Sequence, residues 1–562
     1  MKRLLYGGTV VNVFTGELEC ANVLIEDEKI IGVGAYSKSE ADVIEDITGK
    51  YVCPGFIDGH IHIESTMLMP SELARLCMLH GTTSIVADPH EIANVCGVEG
   101  IKYMMEASSK IPLNVYFTLP SCVPATPFDE SGAVLRPEDL KVFYQYSQVI
   151  GLAEMMNYPG VLYDDASVYA KLNDALAHGK VVDGHAPSLS GKDLDKYVSA
   201  GITSDHECSN AEEAIEKIRK GQWVMIRQGT AARNLPALLP LFDNAYSHRC
   251  VLVTDDRHPA DLMREGHIDN IIRLAVEHSK SVITAIKMAT IQAAQCFGLR
   301  FVGAIAPGYR ADLLVLNDLD TVDVEDVYSK GEKIVEHKQM KAFEPPKIDK
   351  NLCDIVRNSF HTKEFVGSDF HIEAKSSKCR VIEIIPGQLL TKEKICDIDW
   401  NKDNGIDTAR DILKLAVIER HKNTGHIGLG FIHGIGIKNG AIASSVSHDS
   451  HNIIVIGSNN EDMVLAANHI RQNGGNVVVS EGKILADMAL PIAGLMTELS
   501  GEQIALANAK VREAVYDLGV PRDIEPFMNM AFVSLPVIPS IKMTTQGLMD
   551  VDNQMKISLY YD

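Results

Sequence analysis

A chain of 562 residues exceeds one ordinary core, at ~150 residues per domain and ~250 for a barrel, so two to four domains are expected. Its formal net charge of −22 repels nucleic acid and anionic membrane and leaves a small neutral substrate as the fitting partner. With 46% hydrophobic and 6% aromatic residues it is ordinary globular material, and 11 scattered cysteines with no CxxC pair suit reduced thiols in the cytoplasm.

The opening MKRLLYGGTVVNVFTGE lacks the apolar run and small-residue cleavage site of a secretory signal. Residues 1–53 read as short strands: LLYGGTVVNV, NVLIEDEKIIGVGA and EDITGKYVCPG. They form one half of an expected β-sandwich flap. From residue 54 to about 300 the pattern changes to apolar strands alternating with helices. The strands are FIDGHIHI, TTSIVADPH, LNVYFTLP, VIGLAEMM, KVVDGHA, GITSDHE, WVMIRQG and CVLVTDD. SELARLCMLHG, DASVYAKLNDALAHG, NAEEAIEKIRKG and LPALLPLFDNAY are helical candidates between them. Strand and helix alternating eight times indicates an α/β fold of the (β/α)8 TIM-barrel type. Residues 301–345, with GYRADLLVLND, return to β character and close the flap. KAFEPP reads as a linker, and 346–562 as a separate C-terminal α/β domain. The apolar stretch Ile427 to Val446 carries His433, Lys438 and several glycines, which excludes a membrane span.

Polar residues gather at the C-terminal ends of the barrel strands, the face where such barrels place active sites. Hydrolytic metal sites need imidazole nitrogen and carboxylate oxygen with a position open to water. His60 and His62, one residue apart, point to the same face of the first strand. Glu154 ends the fourth strand, His185 the fifth, His206 the sixth and Asp255 the eighth. Six ligands on five strand ends suffice for two ions sharing a bridge. Any one of them taken singly also suits a structural or surface role, and Asp255-Asp256 also suits a helix cap before RHPADLM. With no thiolate in the set, Mn, Fe or Zn is accommodated.

PGFIDGHIHIE and the later ligands resemble the amidohydrolase superfamily, and VVNVFTGELECANVLIEDEKIIGVGA with GYRADLLVLND resembles its split, urease-like β-sandwich. Many binuclear members carry a carboxylated lysine at the end of strand four. Here that place reads GLAEMM, and a glutamate bridge at Glu154 is similar to the adenine deaminase branch. DGHIHIESTM, VADPHEIANVCG, GLAEMMNYPGV, VDGHAP, TSDHE, VTDDRHP and ASSVSHDSHNIIVIGSNNEDM resemble that branch too, so the likeness spans nearly the whole chain. Asp255 and Asp256 face opposite ways in a strand, and the resemblance gives the ligand role to Asp255, which directly follows Thr254.

The resemblance implies hydrolytic deamination of adenine to hypoxanthine and ammonia, in purine salvage, by a hydroxide bridging two divalent ions, with Mn or Fe favoured and Zn the alternative. On that resemblance Asp255 is the candidate to accept the water proton and pass it to the departing ammonia, His206 is a candidate to hydrogen-bond the developing centre as well as ligate, and Glu154 is expected to bridge. Asp88, His90 and Glu91 after strand two, and Glu64 after the HxH pair, are candidates to read the purine edge. Each also suits a turn or cap. Arg227 is set aside as an ion-pair partner. His448 and His451 are accessory candidates, for a second metal site or the active-site rim, against a loop held by Asx and Ser turns. The competing enzyme reading is a cyclic amide hydrolase of the hydantoinase or dihydroorotase kind. A third is a non-catalytic scaffold on the same barrel. Barrel hydrolases of this size often assemble, and a homo-oligomer, dimer or tetramer, is expected.

Overall fold

The computed structural model describes residues 1–230, 232–386, 388 and 390–561. The chain forms two compact units. The first comprises Met1–Pro89, Met105–Ser121 and Arg136–Lys347, and the second His90–Met104, Cys122–Leu135 and Ile348–Asp562.

In the first unit the eight expected runs become strands: β1 Phe56–Ile61, β2 Thr82–Ala87, β3 Asn114–Leu119, β4 Val149–Met155, β5 Val181–Gly184, β6 Ser204–Asp205, β7 Trp223–Arg227 and β8 Cys250–Val253. Hydrogen bonding runs in chain order and in parallel, β1 to β5 in one sheet and β6 to β8 in another. The Thr203 amide donates to the Val182 carbonyl at 2.9 Å, and a parallel bridge joins Ile61 to Asp255, closing the cylinder. Every residue of β1 and β2 is buried, as expected of parallel strands covered on both faces. Gly59 lies where a β-carbon would sit 2.8 Å from a Val251 methyl, so β1 and β8 approach closely only with glycine there.

The flap is split as expected. Lys29–Gly34, Asn22–Glu26, Lys2–Tyr6 and Val43–Asp46 form one sheet. In the other, Tyr51–Pro54 pairs antiparallel with Leu313–Leu316, joining strands on either side of the barrel in sequence. Leu5, Val23, Ile25, Val52, Leu313 and Tyr328 make its core.

In the second unit eight strands form one sheet: β9 Lys378–Ile384, β10 Thr391–Asp397, β11 Leu413–Ile418, β12 Ile427–His433, β13 Ala441–Ser444, β14 Ile453–Gly457, β15 Asn476–Ser480 and β16 Lys483–Met488. The spatial order is β10-β9-β12-β11-β14-β13-β15-β16, and every pair but β9–β12 is antiparallel. Met463, Ala466, Ala467 and Ile470 of the helix Asn460–Asn473 pack on Ala441, Ala443, Val455, Val477 and Val479 of that sheet. Among the described residues no helix is long and apolar enough to cross a membrane.

Candidate metal centre

Asp58, buried in β1, sets the frame. It accepts from the Thr254 amide at 3.1 Å, from the Thr254 hydroxyl at 2.5 Å and from the His60 amide at 3.2 Å, tying β1 to the end of β8. The next two residues of the pattern, His60 and His62, bring their rings together with centroids 4.8 Å apart. His60 also stacks on His206 at 4.2 Å.

The second nitrogen of each ring fixes its tautomer. His60 Nδ1 lies 3.0 Å from the Asp183 carboxylate, and His62 Nδ1 lies 3.2 Å from the Asp88 carbonyl oxygen. Both Nδ1 atoms therefore hold protons. The two Nε2 lone pairs then face each other at 3.1 Å, an arrangement that calls for a cation. Glu154, at the end of β4, divides its carboxylate between two histidine pairs. Oε1 is 3.4 Å from His62 Nε2 and 3.9 Å from His60 Nε2. Oε2 is 2.6 Å from His185 Nδ1 and 3.2 Å from His206 Nε2. One carboxylate faces two imidazole pairs through its two oxygens, and this donor set of imidazole nitrogen and carboxylate oxygen fits a divalent metal centre.

Asp255 completes the ring. Its Oδ1 is 3.2 Å from His62 Nε2 and 3.8 Å from His60 Nε2. It sits at φ 59°, a left-handed backbone that aspartate tolerates better than most residues, so simple strand alternation stops at this position. Asp256 turns away and accepts from the Ser65 hydroxyl at 2.5 Å. Asp88 is buried, and one of its carboxylate oxygens lies within 4.8 Å of the ligating atoms of His62 and Glu154. Glu64 is buried in the short turn Glu64–Thr66 that follows His62.

Electrostatics follow from the packing. Burial alone would raise the Glu154 carboxyl, but His206 and His185 facing it hold it well below the ordinary range. Burial opposes charge on Asp255 as well, and Arg227 and His62 overcome it, with the same net lowering. For His206 burial works against protonation, yet Glu154 and Glu207 raise it well above the usual imidazole value.

Three residues enter that sequence reasoning did not assign. Asp183 orients His60. It stands in β5 two residues before His185, which directly follows the strand, and that i,i+2 spacing was the available signal. Glu207 directly follows His206, with Oε1 3.3 Å from His206 Nε2 and 3.6 Å from His185 Nδ1. Arg227, at the end of β7, donates to Glu207 Oε1 at 2.6 Å, to Glu207 Oε2 at 2.8 Å and to Asp255 Oδ2 at 2.5 Å. It is an ion-pair partner, as expected, and its partners belong to the site.

The remaining candidates lie in the second unit. His90 and Glu91 open the helix His90–Ala107, and His448 and His451 lie in the loop after β13. His90 Nε2 is 3.5 Å from Glu91 Oε1 and 3.9 Å from Asp449 Oδ1. Glu91 is buried between two rings: Oε1 meets His448 Nδ1 at 2.5 Å and Oε2 meets His451 Nε2. The Ser447 amide donates to His451 Nδ1 at 3.2 Å. That nitrogen therefore carries a lone pair, Nε2 carries the proton, and the ring donates to Glu91. Burial keeps this ring neutral, lowering its pKa to about 4 against the pull of Glu91. The cluster is a polar clasp between the loop and the helix.

A buried carboxylate splitting two histidine pairs at the mouth of a parallel eight-stranded barrel defines a metal-dependent hydrolase, and residues 51–334 match the amidohydrolase family. Residues 388–555 match the adenine deaminase C-terminal domain. The chain is 44% identical to an adenine deaminase of Desulfatibacillum aliphaticivorans over 562 residues, covering 99% of this chain and 97% of that protein. It is 45% identical to adenine deaminase 2 of Carboxydothermus hydrogenoformans, covering 98% of this chain and 95% of that one. With the Clostridium acetobutylicum adenine deaminase the identity is 46%, covering 97% and 95%. The chain belongs to the adenine deaminase family within the amidohydrolases.

Proposed function

We propose that this chain deaminates adenine hydrolytically, releasing hypoxanthine and ammonia. The observation that carries the reading is the divided carboxylate of Glu154, facing His60 and His62 through one oxygen and His185 and His206 through the other. His60, His62, Glu154, His185, His206 and Asp255 would hold two divalent ions, Mn or Fe in preference to Zn. When bound, such ions lower the pKa of water toward neutrality and so supply the nucleophile for purine C6.

The chain's own residues do the rest. Asp255 presents Oδ1 to the histidine pair, and the lone pair of that oxygen not turned to the centre accepts the water proton and delivers it to the leaving ammonia. Glu64 and Asp88, both buried, take the purine edge. His206 turns Nε2 toward Glu154 and Glu207, so that nitrogen is the one that serves as ligand and the ring's proton stays on Nδ1. Segments 1–53 and 301–345 serve as the flap, 54–300 as the barrel and 346–562 as the family-specific domain. The enzyme acts in the cytoplasm, in purine salvage, as a dimer or tetramer. Its 11 scattered cysteines, with no CxxC pair, suit a reducing compartment.

The test is direct. Protein loaded with Mn(II) is mixed with adenine, and conversion is followed by ultraviolet absorbance and ammonia release. Adenosine and a cyclic ureide serve as controls. Adenine turnover that falls by at least about a hundredfold in Glu154→Gln supports the reading. Metal binding without adenine turnover sinks it, and turnover of the ureide alone transfers the chain to the cyclic amide hydrolases.

A further inference from the structure

Two of the carboxylates at the barrel mouth belong to different histidine pairs. Asp255 Oδ1 faces His62 and His60, and Glu207 Oε1 faces His206 and His185. One guanidinium joins them. Arg227 Nη1 reaches both Asp255 Oδ2 and Glu207 Oε1, while Nη2 takes Glu207 Oε2. We propose that Arg227, clamped by Glu207, is a positioning residue: it occupies one oxygen of Asp255 and leaves the other as the only donor that carboxylate offers the metal centre.

The geometry supports this in three ways. A carboxylate free at both oxygens can rotate and bind a cation through either one or both. With Oδ2 held at 2.5 Å, Asp255 is restricted to Oδ1. The clamp is also rigid. Two parallel N–H donors grip both oxygens of Glu207 at 2.6 and 2.8 Å, a planar match that a lysine ammonium cannot reproduce. Finally, the backbone of Asp255 offers no freedom to compensate. Its amide donates to the His60 carbonyl at 2.9 Å, and its φ of 59° leaves few alternative conformations. Arg227 therefore fixes both histidine pairs to one rigid element. Groups behind the ligands commonly tune a metal by ten- to hundredfold, and Arg227 stands in that place for Asp255.

The inference rests on the metal reading above. Wild type, Arg227→Met, Arg227→Lys and Glu207→Gln are stripped by chelation and titrated with Mn(II) in competition with a chromophoric chelator. Apo melting temperatures and adenine kcat and KM are recorded alongside. Both Arg227 variants are expected to lose about 10–100-fold in Mn(II) affinity while KM moves less than about threefold. Glu207→Gln should weaken Mn(II) in the same direction and add little on top of Arg227→Met, because the two act as a unit. Mn(II) affinity within about threefold of wild type in a folded Arg227 variant overturns the inference, and so does full rescue by lysine. If Arg227→Met does not fold, Arg227→Lys and Glu207→Gln decide by the same criterion. Wild type that binds no Mn(II) defeats the metal reading itself, a result distinct from variants that bind as wild type does.

Discussion

His62 and His451 are both buried beside a glutamate, and a single backbone atom separates their chemistry. A carbonyl faces Nδ1 of His62 and an amide faces Nδ1 of His451, so the first ring turns a lone pair toward its glutamate and the second turns a proton. Removing each ring should separate the roles. His62→Ala is expected to lose bound Mn(II), whereas His451→Ala keeps the wild-type content, as measured by elemental analysis of dialysed protein. Loss of metal in His451→Ala would refute the tautomer assignment. Asp129 gives a second prediction. Burial pushes its carboxyl up to about 8, opposed by the Thr126 hydrogen bond and aided by the charge of Asp449. The unfolded aspartate ionises near 3.8, so between there and about 8 the folded chain binds the extra proton and stability falls as pH rises. The slope is at most about 1.4 kcal/mol per pH unit. Asp129→Asn should match wild type near pH 4 and exceed it by a few kcal/mol near pH 8 in denaturant titrations. The candidate ligands could be picked out residue by residue because strand ends and HxH spacing are local features, and the structure brings their side chains together. Glu207, and its pairing with Arg227, were not, since an ion pair 20 residues apart in sequence exists only once β6 and β7 lie side by side.

At the scale of elements, the eight barrel strands were readable from apolar runs ending in polar residues, and each run is a strand in the structure. Two things were not. The helix His90–Ala107 carries a break at Gly97, with φ 59° and ψ −141°, and its first part belongs to the second unit. A helical pattern records an apolar face but not which core receives it. The C-terminal strands likewise read as α/β, while the sheet they form is antiparallel in all pairs but one. Strand pairing direction leaves little trace in a buried apolar run. The end of β5 offers a sharp test. A β-carbon on Gly184 would sit 2.2 Å from the Ser204 carbonyl oxygen, against the backbone of β6. Gly184→Ala should cost about 1–3 kcal/mol or more by thermal unfolding and, by displacing the adjoining His185, reduce Mn(II) affinity. Unchanged stability would mean that β5 and β6 are not as tightly apposed as described.

Across the whole molecule, the metal-ligand candidates His60, His62, Glu154, His185, His206 and Asp255 belong to one unit. Chelation should therefore be uneven in its effects. Hydrogen exchange after metal removal is expected to rise at the ends of β1, β4, β5, β6 and β8 and to stay unchanged in the sheet β9 to β16. A uniform rise would instead mean that the two units share one cooperative transition. The glutamate at the end of β4 has a consequence for how the active protein is made. A carboxylated lysine exists only after dissolved carbon dioxide has added to the amine, so enzymes built around one depend on bicarbonate to mature. Glu154 leaves the ribosome with its carboxylate already attached. Ion loading then needs nothing from the gas phase, and protein reconstituted in degassed, bicarbonate-free buffer should reach the same activity, at the same rate, as protein reconstituted in air.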